Sequence, residues 1–162
     1  MTDAKGYPLE ALRRLRAGEE DSAARMLAAA VRAHDEAVDA TARAQAAQEN
    51  HARETRDLVE RERSRPAAGL RPSDATALAA WRQRRRVELD GLTADVLRAR
   101  EEAQHRAEAA DAAREALANA RRERDALEKH FARWRDAELR KAEARAEAEA
   151  EDRRTRQGPV QK

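Results

Sequence analysis

The four histidines, His34, His51, His105 and His130, are the residues whose type best suits acid–base or metal chemistry. Folding the chain back near residue 68 would bring His34 towards His105, where two imidazoles could share a metal ion. Two ligands without further donors make a poor zinc site, so the histidines read as helix-surface or seam residues. The run RQRRR at 82–86 could contact phosphates, with Trp81 beside it to stack on a base. A solvated helix face whose aliphatic stems cover a seam would give the same pattern. The chain sets 34 basic residues against 32 acidic ones. Such an interspersed surface repels phosphate as often as it attracts it, so nucleic acid is not the expected partner. Carboxylates abound, but there is no glycine-rich phosphate loop, no HExxH and no nucleophile elbow. The expectation is a protein without catalysis, metal or cofactor.

The elements that would carry these residues follow from composition. Of 162 residues 41% are charged and only 2% aromatic, and the mean hydropathy is −1.03. Much of the apolar share is alanine, which buries little area. A compact globular core is therefore not expected, and Ala, Glu, Arg and Leu together favour long helices. There is no cysteine, which excludes disulfides and thiolate metal sites. The opening MTDAKGYPLE has no basic and apolar leader pattern. The apolar run MLAAAV at 26–31 is far too short to span a bilayer. A soluble, cytoplasmic chain without membrane insertion is expected.

The sequence predicts one helix over about 8–63, opening at Pro8. A turn follows at 64–73, SRPAAGLRPS, and a second helix runs over about 74–155 with Ser73 as its cap. A disordered tail follows Gly158–Pro159. Steps of three and four pick out a seam on helix one through Ala24, Leu27, Val31, His34, Val38, Thr41, Gln45, Gln48, Ala52, Thr55 and Val59. The second seam is longer and more regular. It runs Leu78, Arg82, Arg85, Leu89, Leu92, Val96, Ala99, Ala103, Arg106, Ala110, Ala113, Leu117, Ala120, Arg124, Leu127, Phe131 and Trp134. Folding at the turn sets Val59 against Leu78, Gln45 against Leu92 and Val38 against Ala99, seam on seam, and Gly91 near Ala46. The expected fold is all-α: residues 1–162 form a single, long, two-helix antiparallel coiled-coil hairpin.

Such a slim seam cannot enclose large rings. Tyr7, Leu9, Leu12 and Leu15 would meet Leu127, Phe131 and Trp134 where the termini lie, and Trp81 would sit near the turn. In part these residues close the coiled coil; in part they form an apolar patch suited to a partner.

Three stretches carry a resemblance: YPLEALRRLR, then LAAWRQRRRVELDGL after the proline break, then LANARRERDALEKHFARWRDAE. Together they resemble the FliJ/YscO (SctO) stalk family of type III secretion systems, flagellar and injectisome, over about residues 7–155. The resemblance implies a two-helix coiled coil that inserts into the hexameric export ATPase and links it to the cytoplasmic domain of the export gate. It also implies contact with export chaperones and a location peripheral to the export apparatus at the inner membrane. Carried over, Tyr7, Leu9, Leu12, Leu15, Leu127, Phe131 and Trp134 would face the ATPase. Trp81, Arg85, Leu89 and Leu92 would face the gate. Arginines and Glu88 stand where the flagellar pattern has aromatic or aliphatic residues, which leans towards the injectisome branch. Two other readings remain: a generic coiled-coil scaffold or adaptor that oligomerises through the seam, and a nucleic-acid binder using Arg82, Arg84, Arg85 and Arg86.

Overall fold

The computed structural model describes residues 6–64 and 71–156. Helix α1 spans Glu10–Arg63 and helix α2 spans Pro72–Arg156. Among the described residues there is no strand. The two helices pack antiparallel as an all-α coiled-coil hairpin. Most of the expected turn, residues 65–70, and the expected tail, 157–162, lie outside the described residues.

The helix starts differ from expectation in their chemistry. Pro8 and Leu9 form a turn ahead of α1, and Glu10 N–H donates to the Tyr7 carbonyl at 3.1 Å. On α2 the cap is Arg71 rather than Ser73. Pro72 takes the first helical position, where its missing N–H costs nothing. The Asp74 N–H donates to the Arg71 carbonyl at 2.9 Å, and the Asp74 carboxylate accepts from the Arg71 N–H at 3.1 Å. The carboxylate bond is the return half of a capping box, with aspartate in the glutamate place.

The described residues form two units. The first joins α1 through Arg25 to α2 from Glu115; the second is Met26–Arg114. Tyr7 and Leu117 are buried in the first unit, and Ala37, Val96 and Ala110 in the second. Among the described residues no charged or polar one is buried. From Lys141 to Arg156 every residue of α2 is exposed. High intrinsic helix propensity sustains this segment, helped by surface pairs such as Lys141–Glu138 at 2.8 Å and Arg153–Glu149 at 3.4 Å. Arg135 lies 4.0 Å from Asp136.

The α2 seam follows the sequence pattern at all but two positions. Arg82 and Arg106 point outward, and Trp81 and Ala107 take their places. The α1 seam agrees at all but two positions. Leu27, Val31, His34, Thr41, Gln45, Gln48, Ala52, Thr55 and Val59 are half-buried as expected, and Ala30, Ala37, Ala44 and His51 widen the same face. Val38 is left 45% exposed, and Ala23 replaces Ala24. The register moves accordingly. Thr41, not Val38, lies on Ala99, its hydroxyl donating to the Ala99 carbonyl at 3.1 Å. Facing alanines leave the helices little side-chain volume to separate them, and polar side chains then fix which residues meet. Gly91 is not a point of close approach, since a Cβ built there would meet nothing within 4 Å.

Candidate protein-interaction surfaces

In the first unit the turn before α1 delivers Tyr7 onto three residues of α2, His130, Phe131 and Trp134. The Tyr7 hydroxyl lies 2.6 Å from His130 Nδ1. Its ring meets Phe131 edge-on at 5.0 Å and Trp134 at 5.2 Å, and Phe131 and Trp134 stack at 6.1 Å. The Arg13 guanidinium lies over the Phe131 ring at 4.4 Å, a cation–π contact. These rings largely satisfy one another, and Tyr7 is buried. Leu12 and Leu127 are half-buried beside them. Leu9 and Leu15 turn outward, Leu15 with 56% of its surface exposed. The seven residues expected to form one surface thus divide into a packed cluster and two leucines open to solvent.

Ion pairs between the helices continue the first unit. Arg13 Nε donates to Glu128 at 2.7 Å, and Arg16 reaches Glu123 at 2.6 Å. Glu20 accepts from Arg121 at 3.2 Å and lies 2.5 Å from Arg124 as an ion pair. Hydrogen bonds to neighbouring carboxylates raise the arginine pKa values further: Glu128 for Arg13, Glu19 for Arg16, and Asp125 for Arg124, where the Glu20 charge adds to it. At the helix start the Arg14 hydrogen bond holds the Glu10 carboxyl below its ordinary value.

In the second unit Trp81 occupies the seam beside the start of α2. It borders a groove of about 490 Å³ with Leu58, Glu62, Asp74, Ala75, Ala77 and Leu78. Arg85, one turn on, lies across the helix interface with only 19% of its side chain exposed. Its Nε donates to the Thr55 hydroxyl at 3.0 Å, and its Nη2 to the His51 carbonyl and the Glu54 carboxylate, both at 3.3 Å. Its Nη1 donates to Glu88 at 3.2 Å, and the same carboxylate lies 3.0 Å from His51 Nε2. The His51 hydrogen bond, followed by the Arg85 charge, lowers the Glu88 pKa against the opposing effect of desolvation. Leu89 and Leu92 follow on the same seam and are half-buried against α1. Of the four residues expected to face the gate, three are engaged within the hairpin and only the Trp81 groove stands open.

The remaining sequence candidates fall on the surface. Arg82, Arg84 and Arg86 are exposed. His34 lies 3.7 Å from Asp35, its helix neighbour, and His105 is exposed. Among the described residues no three histidine, aspartate or glutamate side chains gather as they would around a metal, and no helix is long and apolar enough to cross a membrane. The Arg85 network escaped sequence reasoning, although Thr55 and Arg85 both stood on the seams; their bond depends on the register. Comparison with family models, curated proteins and solved structures finds no match to the chain.

Proposed function

We propose that the chain is the non-enzymatic central stalk of a type III secretion export apparatus, located in the cytoplasm against the inner membrane. In this role a stiff helical hairpin inserts into the hexameric export ATPase, links it to the cytoplasmic domain of the export gate and offers a contact to export chaperones. One observation carries the reading furthest. Two stretches that carry the family resemblance, YPLEALRRLR and DALEKHFARW, are more than a hundred residues apart, yet Tyr7 packs on His130, Phe131 and Trp134. A shared motif order would be accidental in a low-complexity helix; a shared order that also builds one cluster is harder to reach by accident. Beside that cluster Leu9 and Leu15 offer apolar surface to the ATPase. In the second unit the Trp81 groove offers an aromatic anchor of the kind that dominates protein interfaces. Arg85, Leu89 and Leu92 support that groove from within the hairpin.

The test is stimulation of a purified hexameric secretion ATPase by the chain. Leu15→Asp should abolish most of the stimulation while circular dichroism stays unchanged, because Leu15 is not part of the packed seam. Undiminished stimulation would move the ATPase contact elsewhere, and no stimulation by the native chain would sink the reading. Exposed Val87 and Leu97 favour a second reading, a coiled-coil scaffold that self-associates. Sedimentation equilibrium separates the two: the stalk reading expects the 18.2 kDa monomer at all concentrations, and the scaffold reading expects a multiple of it.

A further inference from the structure

Two seams compete on α1 within the second unit. They share every second position and differ in what comes between. At Ala30 and Val31, Ala44 and Gln45, and His51 and Ala52 both seams are half-buried; only at Ala37, buried where its neighbour Val38 is exposed, does one seam prevail. The choice made here has two costs. Val38 stays 45% exposed, leaving apolar surface in water. His51 Nδ1 is enclosed without any hydrogen-bond partner. Rolling α1 by one position would reverse both, bringing Val38 inward and His51 towards water.

The present choice is held by polar contacts that belong to one register. Arg85 binds the Thr55 hydroxyl and the His51 carbonyl, Thr41 binds the Ala99 carbonyl, and Gln48 Nε2 donates to the Thr93 hydroxyl at 2.8 Å. The middle of α2 exerts little preference of its own. Ala99, Ala103 and Ala110 offer no deep holes that would key one set of knobs over another.

We propose that Met26–Arg114 is a two-register element, locked in the present register by Arg85 and Thr55. The second register is reached when α1 rolls and slips three residues, about 4.5 Å at 1.5 Å per residue, so that Val38 lies on Ala99. A partner that grips either register shifts the balance by its difference in affinity for the two. The inference does not depend on the secretion reading, because a scaffold with this seam would slip in the same way.

The chain has no cysteine, so introduced pairs report without interference. Thr41→Cys with Ala99→Cys marks the present register, and Val38→Cys with Ala99→Cys marks the second. Val38→Cys with Ala112→Cys is brought together by neither. The readout is the rate of intramolecular disulfide formation in a fixed redox buffer, each pair being placed with and without Arg85→Leu. The 41–99 pair should close fastest, and the 38–99 pair should close slower but well above the control. Loss of the charged hydrogen bonds in Arg85→Leu should speed 38–99 closure about tenfold and leave the control unchanged. Thr55→Val, which keeps the arginine and removes one acceptor, should act in the same direction and decides the matter if Arg85→Leu loses helicity. A 38–99 rate equal to the control overturns the proposal. So does a rate that neither substitution moves, or an equal rise in all three pairs, which would mean general loosening.

Discussion

At the scale of single residues, the polar contacts carry more of the specificity than the apolar ones. Glu88 shows how. Its carboxylate accepts from His51 and Arg85, and the His51 bond above all holds its pKa below the ordinary value. A carboxyl whose folded pKa is depressed adds stability that is fully present above its unfolded pKa. That stability is lost as pH falls through the folded value. Glu88→Gln should therefore lower the urea midpoint at pH 7, and the gap from the native chain should narrow as the pH is taken below 4. A gap that stays constant would show that the carboxylate charge is not what stabilises the site. Sequence reasoning could not find this group, because an exposed glutamate looks alike wherever the register places it. Trp81, named as a surface candidate, was left off the seam for the opposite reason: the strict three-and-four count preferred Arg82, and a seam that tolerates arginine gave no sign of the error.

At the scale of elements, the two helices were legible to different degrees. The α2 pattern contains Leu89, Leu92, Val96, Leu117 and Leu127, large enough to define a face, and the structure keeps all of them there. In α1 the choice fell between valines and alanines one position apart, and size misled. Alanine on alanine permits closer contact, so Ala37 was selected over Val38, while Val31 stays half-buried beside Ala30. Ala110 marks the tightest point of this packing, with 1% of its surface exposed. Ala110→Leu should destabilise the hairpin by about 1–3 kcal/mol, the usual cost of overpacking. Ala109→Leu, on the exposed face, should stay within about 0.5 kcal/mol of the native chain. Urea unfolding of the two variants, identical in composition, compares them directly. Equal stabilities would mean that the seam does not run through Ala110.

At the scale of the whole molecule, the fold class was legible because it depends only on sums: many helix formers, few large apolar residues and one proline-rich break. The functional assignment is less legible, since its motifs are helical patterns and its surfaces depend on which leucines turn outward. The molecule also distributes its stability unevenly along α2. Residues up to Trp134 are held by the aromatic cluster and the ion pairs of the first unit, while 141–156 are exposed throughout. An exposed helix owes its order to propensity and surface pairs worth a few tenths of a kcal/mol each, and it frays well before a packed one. Deleting residues 141–162 should remove helical ellipticity roughly in proportion to the residues lost. It severs the exposed Lys141–Glu138 pair, a contribution of about 0–1 kcal/mol. The main unfolding midpoint should therefore hold, and the shallow loss of ellipticity that precedes it on heating should disappear. A marked fall in the midpoint would show that this segment contributes to the stability of the packed hairpin.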